Sequence, residues 1–232
     1  MVRLSFLFLI LFSWTGAAQE GFSDYMRNGA EAMNLGDPAK AVSAFQSAVG
    51  VDSKSVLAWM HLANARMGLY LWLQEVTPVR EAVGGQAAHA WRESVQRDPG
   101  NEVALWGLAV TYAMTEKPEM ARQAVERLLE AFPNSRDGFY LQGLLDWTAS
   151  RRVGEKQERL QAALRSFEKA VEIDPDFAKA MVYAGLVSRT LGLNNGEEWN
   201  LRAEKAHARA KATEVKVDPN LPPPVFPVPK AP

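Results

Sequence analysis

The chain contains no cysteine among its 232 residues. That excludes disulfides, thiolate metal sites and a cysteine nucleophile, so stability must come from packing alone. Histidine is nearly as scarce: His61, His89 and His207 are the whole set. No second histidine follows any of them at the helical spacing of a metal site. Charge of one sign is also missing. With Arg3 set aside, 25 basic side chains face 27 acidic ones. This balance gives no support for binding nucleic acid or an anionic membrane surface. The basic stretch Lys205 to Lys211 is matched by nearby acids and reads as a solvated helix face. Catalytic signatures are absent too. Gly84-Gly85 lacks the lysine and the Ser/Thr of a phosphate loop, and no serine stands in a G-x-S-x-G elbow. No catalytic, cofactor-binding or metal site is expected, and the chain does not read as an enzyme.

What is there is a helical pattern with a repeat. In the stretch from Gln161 to Gly185, Ala163, Phe167 and Ala170 are spaced four and three apart, on one helical face. Asp174-Pro175 ends that helix, because proline lacks the amide and disfavours helical geometry before it. A second helix follows, with Met181 and Gly185 inward. The triad recurs as Ala41, Phe45, Ala48, as Ala87, Trp91, Ser94 and as Ala121, Val125, Leu128. A small residue recurs on the partner helix at Gly29, Ala63, Ala109, Gly143 and Gly185, in steps of 34, 46, 34 and 42. The closing proline recurs as Pro99 and Pro133, with Ser53 in its place in the first repeat.

A 34-residue helix–turn–helix unit with these small and aromatic positions resembles the tetratricopeptide repeat (TPR). The resemblance runs from about Phe22 to Ala212. It implies an all-α fold: a right-handed TPR α-solenoid of about five helix pairs, with a C-terminal capping helix and a Pro-rich tail. The solenoid is expected over 19–213, with repeats near 22–55, 56–101, 102–135, 136–177 and 178–213. Departures are Ser94 and Leu128 for alanine, and Arg66, Asp146 and Ser188 in a slot that is usually tyrosine and that Tyr112 keeps. The steps place two insertions, one around Tyr70 to Glu81 and one around Ala149 to Gln157. Each falls between the first helix (A) and the second (B) of its repeat. Thr77-Pro78 predicts an N-cap and a helix from Pro78 to about Arg97, with Gly84-Gly85 a weak point inside it. Gly154-Glu155-Lys156 predicts the start of a helix running to Ile173. The charged, alanine-rich Glu197 to Thr213 predicts the capping helix.

The two ends differ from the rest. Met1-Val2-Arg3, the apolar run Leu4 to Trp14 and the small residues to Ala18 predict a signal peptide over 1–18. The run is too short to span a membrane, which takes about 20 residues, and no other stretch qualifies. Export to the periplasm or the extracellular space follows, with no integral membrane span after cleavage. Residues 214–232 predict a disordered proline-rich tail. Its apolar part, Leu221 to Val228, is expected to be able to fold back onto the apolar groove.

In the TPR family helix A lines the concave side. The resemblance therefore implies a protein-binding groove carrying Met60, Asn64, Met67, Trp106, Val110, Met114, Tyr140, Leu144, Trp147, Val182 and Arg189. Met26, Met33, Leu57, Val103, Asp137, Lys179 and Leu186 flank them. Methionine and aromatic side chains suit adaptable apolar contacts. Met60 and Trp106 stand where a clamp for a terminal carboxylate would need lysine. His61 reads as a groove-wall or packing residue. The function implied is an exported, non-catalytic scaffold or adaptor holding a protein or peptide, without cofactor. The alternative is an accessory domain or subunit of an envelope enzyme or assembly complex.

Overall fold

The computed structural model describes residues 21–75, 77–151 and 156–212. The expected leader, the proline-rich tail and the Gly154-Glu155 helix start lie outside these residues. Among the described residues every regular element is a helix. They fall into two compact units, one ending at Ala104 and one beginning at Leu105. The first holds α1 (described over 21–34), α2 (Pro38–Val51), α3 (Val56–Trp72) and α4 (Pro78–Arg97). Helix α5 (Glu102–Met114) begins at its end. The second unit continues with α6 (Pro118–Ala131), α7 (Arg136–Ala149), α8 (Lys156–Ile173), α9 (Ala178–Thr190) and α10 (Gly196–Ala212).

Short polar side chains start the helices. Asp37, Ser55, Thr77, Asn101 and Ser135 accept from the amides of Lys40, Ala58, Arg80, Ala104 and Gly138. Each satisfies an amide that the first helical turn leaves unpaired. Pro38, Pro78 and Pro118 follow at first-turn positions where no amide is needed. Helix α4 begins at Pro78 and ends at Arg97, as Thr77-Pro78 predicts. It runs unbroken through Gly84-Gly85, and α8 ends at Ile173.

The A-to-B turn has one geometry in the repeats without insertions. Gly36, Glu116 and Gly192 adopt positive φ of 71°, 58° and 74°. In each case the following amide reaches back to a helix carbonyl: Asp37 to Ala32, Lys117 to Tyr112 and Leu193 to Ser188, all at 2.9 Å. This left-handed closure caps the orphan carbonyls of α1, α5 and α9.

Packing follows the small positions. A Cβ at Gly29 would stand 2.5 Å from the Phe45 ring, and one at Gly143 would stand 2.6 Å from Phe167. The aromatic of helix B therefore lies directly on the backbone of helix A, and only glycine leaves room there. Phe45, Trp91, Val125 and Phe167 are all buried between their flanking triad residues. The last helix has the polar outer face expected of a cap and a packed inner face. Trp199, Ala203 and Ala206 are buried at the same four-and-three spacing, so α10 is a packed B helix. Gly185 meets the Gly196 carbonyl so closely that a Cβ would sit 3.0 Å from it. Large and small residues have exchanged places in this triad, which hid it from a search led by alanine.

Two of the slots that lack tyrosine are used differently. Arg66 donates to Gln46 Oε1 on α2 at 2.5 Å and to the Gln86 carbonyl on α4 at 3.2 Å. Asp146, buried on α7, accepts from Arg122 of α6 and Arg159 of α8, both at 3.2 Å. Each charged residue ties its helix to the B helices before and after it.

Candidate functional site

In the first unit the candidate row is on α3. Leu57, Met60 and Asn64 are spaced three and four apart and share one face. Leu57 is 55% exposed, while Met60 and Asn64 are half-buried. His61 stacks on Phe45 with ring centroids 5.0 Å apart, and burial pushes its pKa down. It is a packing residue of the α2–α3 contact. Beside it, Trp59 donates its indole N–H to the Ser53 carbonyl at 2.9 Å, and Arg97 donates to the same oxygen at 2.7 Å. Arg97 also lies 5.0 Å above the Trp59 ring. The carbonyl at the missing proline thus becomes a joint between α3 and α4.

In the second unit two rows stand on α7 and α9. Asp137, Tyr140, Leu144 and Trp147 occupy one face of α7 by spacing, and Lys179, Val182, Leu186 and Arg189 one face of α9. Leu144, Trp147 and Leu186 are half-buried, and Val182 is 50% exposed. Lys179 and Arg189 are exposed. Trp147 meets the edge of Tyr183 at 5.4 Å and carries Arg151 above its ring at 4.9 Å. On α5, Trp106 and Met114 are half-buried.

Three residues expected on an exposed groove wall belong to the core instead. Met67 has no exposed surface, on a helix that packs against both α2 and α4. Val110 is buried. Tyr140 packs against Phe167, Phe177 and Tyr183 at 5.9, 5.3 and 5.8 Å. Burial first, then the Tyr183 charge and its hydrogen bond with Tyr183, push the Tyr140 pKa well above the usual phenol. Tyr183 is raised as well, by burial. Spacing alone overlooked Tyr183 and Arg151. The first sits one residue off the expected row, and the second lies in the insertion.

Little in the arrangement suits catalysis. Among the described residues no group of three histidine or acidic side chains could hold a metal ion. His89 and Glu93, four apart, face each other at 3.6 Å as a surface pair. A recess of about 310 Å³ beside α7 and α8 is lined by Phe139, Gln142, Asp146, Ala162, Arg165, Ser166 and Lys169. Its one carboxylate is tied to two arginines, an arrangement that serves packing rather than proton transfer. No described helix is long and apolar enough to cross a membrane.

Models of the Tetratricopeptide repeat match residues 27–68 and 85–136, and a second such model matches 152–177. Together they cover more than half of the chain. Comparison with curated proteins gives no match. Among solved structures, MamA protein superposes with a TM-score of 0.61 at 19% identity, covering 86% of this chain and 99% of that one. MamA 41-end from Desulfovibrio magneticus RS-1 gives 0.59 at 14% identity, covering 84% and 98%. YrrB, described as a TPR protein with an unusual peptide-binding site, gives 0.52 at 17% identity, covering 79% and 85%. At these identities the likeness is one of fold.

Proposed function

The chain belongs to the tetratricopeptide repeat family, and from that membership we propose that it is a non-catalytic scaffold holding a protein or peptide on its A-helix rows. One observation carries the reading. In each unit an A helix leaves large apolar side chains uncovered on the face the family uses, Leu57 on α3 and Val182 on α9. Together with the half-buried Met60 and Leu186 on the same faces, they offer apolar contact to a partner. The peptide-binding site attributed to YrrB, which shares the fold, supports the same use of this one. The proposed contact residues are Met60 and Asn64 in the first unit and, separately, Trp106, Met114, Leu144, Trp147, Val182 and Arg189 in the second. Met67, Val110 and Tyr140 support it from beneath.

Selection of peptides from a display library against the full chain tests this. Selected peptides should bind Trp147→Ala or Val182→Asp at least about tenfold more weakly, a loss of ~1.4 kcal/mol. Unchanged affinities would refute the A-helix rows as the binding surface. We further propose that the protein is exported. The support is the charged start, the apolar run from Leu4 to Trp14 and the small residues ending at Ala18. Mass spectrometry of the native protein should find a chain beginning at Gln19; an intact Met1 start would refute cleavage.

A further inference from the structure

The second unit's rows carry a charge pattern as well as apolar surface. On α9, Lys179 and Arg189 bracket Val182 and Leu186. Ten residues separate the two cations, or ~15 Å along a helix rising 1.5 Å per residue. The Arg189 stem lies across Gly196, where a Cβ would stand 2.5 Å from its Cγ. That contact holds the stem in place while the residue remains exposed. A third cation, Arg151, covers Trp147 on the neighbouring row. Among the described residues none of these three cations makes an ion pair. Of the nearby carboxylates, Asp137 pairs with Arg136 and Asp176 with Arg209, while Glu197 and Glu198 stand exposed beside Gly196.

Three cations without an ion pair around an apolar strip are complementary to an apolar segment flanked by carboxylates. We propose that this face binds an extended peptide with one or two large apolar side chains between two acidic residues on the same face. An extended chain advances ~3.3 Å per residue and alternates its faces, so acids four positions apart share a face and stand ~13 Å from each other, within reach of both cations. The apolar side chains sit against Val182, Leu186 and Trp147, and the carboxylates meet Lys179 and Arg189. Recognition is by side chains, so the peptide needs no free C-terminus. The inference rests on the scaffold reading and names the ligand chemistry of the same surface.

Three blocked, fluorescent peptides test it. The acidic probe contains Asp-Ser-Leu-Ser-Glu, the neutral probe Asn-Ser-Leu-Ser-Gln and the short probe Asp-Leu-Glu, each with an amidated end. Binding to the full chain is measured by anisotropy at low and high salt. The acidic probe should bind about tenfold tighter than the other two at low salt, and the advantage should shrink as salt screens exposed charges. Lys179→Glu with Arg189→Glu should remove the advantage. Arg92→Glu, on the exposed surface of α4, should leave it intact. Thermal melts verify that the variants fold. Equal binding of the acidic and neutral probes, or an equal loss in Arg92→Glu, overturns the charge pattern. If both then still fail with Val182→Asp, the scaffold reading stands without it. If none of the probes binds while library peptides do, this ligand class is wrong. If library peptides fail as well, the scaffold reading falls with it.

Discussion

At the scale of single residues, Glu116 is the plainest departure from what its position asks. It holds φ of 58° in a turn where Gly36 and Gly192 hold the equivalent positions. A side chain in the left-handed region costs ~1–2 kcal/mol, partly offset because glycine loses more entropy on folding. Glu116→Gly should therefore raise stability by roughly 0.5–1 kcal/mol in urea melts; a lower midpoint would contradict the strain. His61 makes a prediction of opposite sign as pH falls. Burial lowers its folded pKa below the ordinary 6.5, so below that pH the unfolded chain binds more protons. The stability of neutral His61 is complete above pH 6.5 and is lost as pH drops through the folded value. His61→Phe, which retains a ring against Phe45, should gain on the wild type between pH 8 and pH 5. An equal difference at both pH values would mean that His61 does not titrate with unfolding.

At the scale of elements, Asp146 is the joint of the second unit. Helices α6, α7 and α8 meet through its carboxylate. Removing it leaves two arginines without their partner, but each arginine keeps about a third of its side chain in solvent. The cost of Asp146→Ala should be about 2 kcal/mol, below that of breaking a fully buried pair. Arg122→Ala or Arg159→Ala alone should cost less, because the other arginine remains. Chemical denaturation of the three single variants decides this; a loss in Asp146→Ala below about 0.5 kcal/mol would assign the joint to apolar packing alone. The sequence marked this slot as a departure from tyrosine. It could not show the use of the charge, because Arg122 and Arg159 lie 24 and 13 residues away along the chain.

At the scale of the molecule, repeats bury a continuous core only by stacking, so damage in one should reach its neighbours. Phe167 is fully buried, beneath Gly143 and against Tyr140 and Tyr183. Phe167→Ala should cost roughly 3–5 kcal/mol, with hydrogen exchange rising in α7, α8 and α9 together. A loss under about 1 kcal/mol, or faster exchange in α8 alone, would contradict a shared core.

The sequence by itself determined the repeat, the helix pairing and the edges of α4. Spacing of three and four, prolines and small polar caps act locally, and a helix responds to its own residues first. It also determined the absence of thiol chemistry. Which groove residues reach solvent was decided by the tertiary structure. Met67, Val110 and Tyr140 occupy the same helical positions as counterparts that are exposed or half-buried. Met67 is fully buried on a helix packed between α2 and α4, while Phe177 and Tyr183 close over Tyr140. The cation pattern of α9 was written in the sequence as four letters. It gained meaning only when Asp137 and Asp176 were found bound to other arginines, since net charge at a surface depends on who is near whom.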